Sequence, residues 1–406
     1  MRLVKVGGKQ FKKLCQRSSG RNKRVTESVR KILENVQMSG DEAVIKYTRK
    51  FDGVRLTQRE LKVSASEISG AYQDIKPEFV STLKVIIDNI TTFYKKQLKK
   101  SWKIKDKNGV MLGEKIMPLD IAGIYVPGGT VPLVSSVYMS VIPAKMAGVK
   151  KIILATPPNS YKSVDPHILV VADLLKVDEV YKVGGAQAIG ALAFGTKTIP
   201  KVDKIVGPGN AYVTEAKRQV FGNVDIDMLA GPSEVAVIAN QFSNINFIKA
   251  DLEAQAEHHM GLAVLITNSK KVIRSLKKDG ANGYLIYVKN MDEAADVANM
   301  IAPEHLQILT NDPRKIANKI SHAGAIFLGP YTPVALGDYV AGPSHVLPTG
   351  GSARFFSGLG VNDFYKSSHI VSYSKKALED IRASLEKIAG IERLTKHVES
   401  VRVRFQ

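Results

Sequence analysis

The chain holds one cysteine, Cys15, among its 406 residues. A single thiol excludes any internal disulfide and any cysteine-based zinc cluster, so the composition fits a reducing compartment and the cytoplasm is the expected location. Long apolar runs are also missing: none approaches the ~20 residues that a membrane-spanning helix needs. The first thirty residues carry ten Lys/Arg and one acid, but no apolar stretch of the kind a secretory leader requires follows them. The glycine pattern G-x-G-x-x-G is absent, so an ordinary dinucleotide fingerprint is not available. Acids are the scarce charge, 38 Asp and Glu against 58 Lys and Arg, for a net charge of +20. Such an excess suits nucleic acid, whose phosphates release counterions to clustered cations. The charge is spread through the chain, however, and no known nucleic-acid module is present. A lysine-rich solvated surface is the plainer reading, with no nucleic-acid partner expected.

What is there reads as a folded protein of more than one core. Hydrophobic residues make up 44% and charged residues 24%, ordinary for a globular chain, and 406 residues exceed what one core usually serves. Residues 26–98 read as helices, with Val29, Ile32, Leu33 and Val36 three to four apart and Val44, Ile45 and Tyr47 resuming an apolar face after Gly40. From Ile121 onward, short apolar runs alternate with helical patterns: strands at 152–155 and 180–183, helices at 167–175 and 186–194. Further strands are predicted at 235–239, 262–266, 284–288 and 324–328. That alternation implies parallel strands joined by crossover helices, in two α/β sheets. Near the end, Ala377, Leu378, Ile381, Leu385 and Ile388 mark an amphipathic helix stopped by Gly390. Such a tail has no core of its own and must dock on something.

Motifs that carry chemistry occur in a fixed order: Tyr125-Val-Pro-Gly-Gly129, Gly207-Pro-Gly-Asn210, Gly231-Pro-Ser-Glu234, Gln255-Ala-Glu-His258, Pro303-Glu-His305, Gly337-Asp338-Tyr339 and Ser344-His345-Val-Leu-Pro348. Gly207 to Asn210 follow an apolar run and precede a helical pattern, a place where backbone N–H groups can cradle phosphate, although a Gly-Pro-Gly segment is more often a plain turn. Gln255 and His258, three apart among helix formers, lie on one face and can share a metal. A neutral glutamine needs an acidic co-ligand, which Asp338 can supply from a Gly- and Pro-containing loop not expected to be helical. A purely structural histidine remains the alternative. Glu304 and His305, in a turn at a helix start after Pro303, can flank one substrate as two bases for proton transfer, or can be a favourable first turn and no more. The only thiol sits in the basic leader, so an aldehyde-oxidising step would rely on activated water rather than a thioester.

Taken together and in order, these segments resemble the histidinol dehydrogenase family. The likeness runs from Gly40-Asp-Glu-Ala43 and Phe51-Asp52 to Leu394-Thr-Lys-His397. The resemblance implies a zinc- and NAD-dependent enzyme that oxidises L-histidinol to L-histidine through the aldehyde, using two NAD. Carried over by position, it places zinc (Zn2+) ligands at Gln255, His258, Asp338 and His397. It places a water-activating carboxylate at Glu304 and an acceptor of the alcohol proton at His305. NAD contacts fall on Tyr125, Gln187 and Asn210, and substrate contacts on Ser233, Gln255, His258, His305, Asp338, His345, Glu392 and His397. The net positive charge would steer anionic NAD towards its site.

The implied architecture is α/β: two incomplete Rossmann-like domains with parallel sheets, plus a helical C-terminal tail. The first domain would comprise residues 1–124 and 234–360, the inserted NAD-binding domain 125–233, and the tail 361–406. In this picture the tail crosses to a partner in a homodimer, where His397 and Glu392 complete the neighbour's site. Three positions depart from the family pattern: Thr130 where Lys is usual, His259-Met260 where Asp-Pro is usual, and Val334 where Glu is usual. The last replaces a carboxylate by an aliphatic chain, which would favour a same-fold zinc and NAD dehydrogenase acting on another small polar alcohol. A basic nucleic-acid-binding protein on an inactive scaffold is the reading from another class.

Overall fold

The structure is a computed structural model that describes residues 1–17, 22–128, 131–257, 260–277 and 283–406. The described chain divides into two compact units, Met1–Leu98 with Leu119–Phe364, and Lys99–Pro118 with Tyr365–Gln406.

The first unit contains two parallel sheets. One has six strands, running in space Arg2–Val4, Tyr284–Tyr287, Leu262–Thr267, Glu234–Ala239, His305–Leu309 and Ala325–Leu328. Along its strands the side chains divide by alternation. Ala236, Ile238, Val264, Ile266, Leu306 and Ile308 enter one apolar cluster, and Val235, Val237, Ala239, Ala263 and Leu265 enter another. Burial on both faces is why these strands read in sequence as unbroken apolar runs. The other sheet has five strands: Glu179–Lys182, Lys151–Thr156, Ile121–Tyr125, Lys204–Val206 and Asp225–Ile226.

Helix Lys23–Ser39 starts at Asn22, whose side chain accepts from the Arg24 and Val25 N–H groups, and ends at Gly40 with φ 52°. Its stripe Val29, Ile32, Leu33 and Val36 is buried, as the spacing predicts, together with Val44 and Tyr47 of helix Asp41–Phe51. These side chains share a core with Ile153, Ile189, Leu192 and Ile205. The helical segment expected to belong with the first domain therefore packs on the five-stranded sheet, while Arg2–Val4 pairs in the six-stranded one. The expected division at residue 124/125 also moves, because it cuts strand Ile121–Tyr125.

The second unit holds a three-stranded antiparallel sheet, Tyr365–Ser372 beside Met111–Pro118 beside Trp102–Lys105. The expected helical tail thus begins with a strand, and its pairing with 111–118 brings an earlier hairpin into the same unit. Val361 and Phe364 stay fully buried in the first unit. Helices Lys375–Ile391 and Thr395–Arg402 follow; Gly390 lies inside the first of them, one residue short of its end. Among the described residues, no helix is long and apolar enough to cross a membrane.

Candidate active site

Glu234 and His305 are the first residues of neighbouring parallel strands, in the register His305 to Val235. The expected turn at a helix start is instead the entry to a central strand: helix Met291–Ile301 ends in a left-handed Ala302, φ 49°, and Pro303 and Glu304 lead directly into His305–Leu309. The adjacent side chains of Glu304 and His305 then converge through one backbone partner. The Glu234 N–H donates to Glu304 Oε2 at 2.7 Å, and His305 Nδ1 lies 2.9 Å from the Glu234 carbonyl oxygen, which only an Nδ1–H donor satisfies. That bond fixes the tautomer and leaves Nε2 as the ring's other functional atom. Nε2 is buried, has no hydrogen-bond partner and lies 3.5 Å from Asp338 Oδ1. The His305 ring is backed by Phe327, with centroids 5.9 Å apart.

Both groups are electrically perturbed. Burial pushes Glu304 up to about 7, against the lowering effects of His305 and of hydrogen bonds from Glu234 N–H and the Ser233 hydroxyl. Burial acts to lower His305, but the carboxylates of Glu304 and Asp338 outweigh it and hold the ring up at about 9. Ser233 therefore lies against Glu304. His345 joins through Nδ1, 2.9 Å from the Asp338 carbonyl oxygen, with Nε2 3.4 Å from Ser136 Oγ.

Two of the four expected metal ligands, Gln255 and Asp338, lie on helices of the first unit. Asp338 was expected in a loop, yet it lies in helix Val334–Tyr339; the helix tolerates Gly337 because a Cβ there would come within 2.6 Å of the Phe327 ring. Gln255 occupies the last turn of helix Ile245–Ala256, 4% exposed, and its Nε2 is buried without a partner. His258 lies outside the described residues, as do Thr130 and His259. His397 and Glu392 lie exposed in the second unit. Among the described residues, no three His, Cys, Asp or Glu side chains converge as a metal site. A carboxylate facing an unpartnered imidazole nitrogen is nonetheless a donor set that suits a cation.

The expected nucleotide contacts lie at the carboxyl end of the five-stranded sheet, where open α/β sheets bind ligands. Tyr125 closes its strand, and its hydroxyl accepts from the Gly185 N–H at 3.0 Å. Gln187 is 1% exposed, with neither polar atom of its carboxamide partnered. Gly207 has φ +118°, and a Cβ there would sit 2.0 Å from the Tyr125 carbonyl oxygen, so only glycine lets the chain pass. Asn210 caps its own helix by accepting from the Tyr212 and Val213 N–H groups. This occupies donors that the sequence suggested for phosphate. Helix Gly185–Phe194 starts at Gly184 without a side-chain cap, a feature that spacing alone did not single out.

Val334 does not present a gap in a polar wall. It is 9% exposed and packs in the apolar cluster with Leu309 and Phe327. Replacing it by Glu forfeits about 1.5–3 kcal/mol of apolar burial. The helix start returns about 0.3–1 kcal/mol. Val334→Glu is therefore expected to lower unfolding stability by about 0.5–2.7 kcal/mol in a urea titration. A variant as stable as the parent would show that this side chain can turn away from the core.

Sequence reasoning also passed over two residues. Glu234 opens an otherwise apolar strand, where a carboxylate demands a cation. Arg17, within the basic leader, is that cation, with Nε and Nη2 at 2.7 and 2.5 Å from the two carboxylate oxygens.

A buried acid and base, both held by the backbone of Glu234, have the arrangement of a proton-transfer site. The histidinol dehydrogenase family model matches residues 15–405. The histidinol dehydrogenase of Clostridium acetobutylicum is 48% identical, covering 98% of this chain and 97% of its own length. That of Caldanaerobacter subterraneus subsp. tengcongensis is 45% identical over 97% of this chain and 96% of its own. A crystal structure of histidinol dehydrogenase from Elizabethkingia anophelis superposes with a TM-score of 0.92 at 36% identity, covering 100% of this chain and 98% of that one. The chain belongs to the histidinol dehydrogenase family. Family membership makes it an oxidoreductase of the dehydrogenase type.

Proposed function

We propose that the protein oxidises L-histidinol to L-histidine in histidine biosynthesis, through the aldehyde, with zinc and NAD. The observation that carries this reading is the Glu304 and His305 pair, held by the backbone of Glu234 in a buried site of a histidinol dehydrogenase family member. His305, its Nδ1–H committed to a carbonyl, presents Nε2 to accept the proton of the alcohol in the first oxidation. Glu304, pushed up to about 7, is poised near neutral pH to take a proton from water as that water attacks the aldehyde. No thiol is needed, and burial raises the Cys15 thiol so that its nucleophilic thiolate is disfavoured.

Gln255, through its amide oxygen, Asp338, His258 and the partner-directed His397 are the residues that would hold zinc, and the Asp338 carboxylate, 3.5 Å from the unpartnered His305 Nε2, is the anionic donor that supports their fit. Zinc there would supply Lewis acidity to the substrate hydroxyl and neutralise Asp338, lowering His305 towards the range where it accepts a proton. Tyr125, Gln187 and Asn210 would hold NAD, which accepts hydride in each oxidation; the unpartnered Gln187 carboxamide supports that placement. A homodimer, with Glu392 and His397 completing the neighbour's site, accounts for the exposed apolar residues Ile388, Ile391 and Leu394 around them.

The test is NADH production from L-histidinol and from a panel of small polar alcohols, with and without a strong chelator. Histidinol should be the preferred substrate, chelation should abolish its oxidation, and added zinc should restore it. Asp338→Ala should lower zinc content at equal protein concentration, by removing an acidic ligand. Full histidinol oxidation by metal-free protein would overturn the zinc assignment, and preference for another alcohol would overturn the substrate.

A further inference from the structure

Glu234 is the hub of the site, yet nothing in its own strand holds it. Its N–H and its carbonyl oxygen fix Glu304 and His305, so any drift of this one peptide segment misplaces both bases together. Its carboxylate is buried, with 6% of the side chain exposed, among apolar strand residues. A carboxylate there stays charged and in place only if it is matched.

Arg17 matches it from 217 positions away. The planar guanidinium grips both carboxylate oxygens, and its third nitrogen, Nη1, donates at 2.8 Å to the carbonyl oxygens of Leu14 and Ile301. Ile301 is the last residue of the helix that leads through Ala302 and Pro303 into Glu304. One side chain therefore ties the start of the Glu234 strand to the end of the helix feeding Glu304. The Gly350 N–H adds a further bond, 3.0 Å to Glu234 Oε1. A lysine cannot reproduce this, because a point charge lacks the planar fork and the additional donor direction.

We infer that Arg17 is a positioning residue for both oxidation steps, acting through Glu234 to set the geometry of Glu304 and His305. The inference rests on those two residues being the acid–base pair. It assigns to the basic leader a part in turnover that does not involve contact with substrate.

The experiment measures kcat and KM separately for the alcohol and for the aldehyde supplied directly, with zinc-loaded full-length protein, in Arg17→Met, Arg17→Lys, Glu304→Gln and the Arg17→Met/Glu304→Gln double variant. Misplacement of reacting groups by about 1 Å costs on the order of 10²-fold, so Arg17→Met should lower kcat for both substrates by roughly 10- to 100-fold. KM should stay within about twofold, since no substrate contact is lost. In the aldehyde reaction the double variant should be scarcely slower than Glu304→Gln alone, because the group being positioned no longer functions. Arg17→Lys should fall between wild type and Arg17→Met. Should Arg17→Met fail to fold, Arg17→Lys is read by the same criteria, alone and combined with Glu304→Gln. Wild-type kcat, a change in KM alone, or losses that multiply in the double variant would overturn the inference. If Glu304→Gln does not selectively slow the aldehyde reaction, the acid–base reading fails instead; if it does and the Arg17 variants are normal, only the positioning role fails.

Discussion

Glu304→Gln is expected to slow aldehyde-to-acid oxidation by about 10²- to 10⁴-fold, the usual worth of a general base. The substitution is nearly isosteric, and the carboxamide oxygen still accepts from the Glu234 N–H, so the strand entry is preserved. What is lost is the ability to take a proton from water. Alcohol-to-aldehyde oxidation draws its proton acceptor from His305 and should fall by no more than about tenfold. Some loss is expected there, because the Glu304 carboxylate is one of two charges holding His305 above its ordinary value. Supplying the aldehyde directly and following NADH isolates the second step. Equal losses in both steps would remove the division of labour between the two residues, and an inactive but folded Cys15→Ser variant would overturn the water route.

The family and most of the fold were legible in the sequence for physical reasons. Strands buried on both faces, such as Glu234–Ala239 and Leu262–Thr267, leave continuous apolar runs. The stripe Val29, Ile32, Leu33 and Val36 records helix Lys23–Ser39 by its spacing. What escaped were elements whose reason for existing is far away in the chain. Strand His305–Leu309 carries buried His305 and Gln307 on alternate positions, which breaks the apolar run, and Pro303 just before it looks like a helix start. Its identity comes from its two neighbours in the sheet, not from its own residues. The hairpin at 102–118 is lysine-rich and exposed, and its third strand comes from residues 365–372.

The site was legible where a motif named a residue and opaque where a contact made it. Ser233, Glu304, His305, Asp338 and His345 are joined by bonds or close approaches. The short helix around Asp338 was hidden by Gly337, a residue that packing against Phe327 requires and helix propensity disfavours. The Arg17 to Glu234 pair could not be read from spacing at all, although a carboxylate at the mouth of an apolar strand signals that a cation must be found.

Mixing two inactive variants is expected to restore activity if the tail completes a neighbour's site, as we propose. In the second unit, Leu385, Ile388, Leu394 and Val401 line an apolar groove together with Glu392 and His397. Ile388 and Ile391 are 58% and 71% exposed. An apolar helix face that carries a glutamate and a histidine suits docking against a polar site better than docking against a core. In a dimer formed from one His305→Ala subunit and one His397→Ala subunit, one site holds both lesions and the other holds none. Random reassembly makes about half of the dimers mixed, each with one intact site of two, so activity should approach about a quarter of wild type. The subunits must be unfolded and refolded together with zinc present, because interlocked subunits exchange slowly. Refolded wild type sets the scale, and each parent refolded alone sets the floor. If the mixture stays at that floor while wild type recovers, each site is built within one chain, and His397 has no place in the neighbour's site.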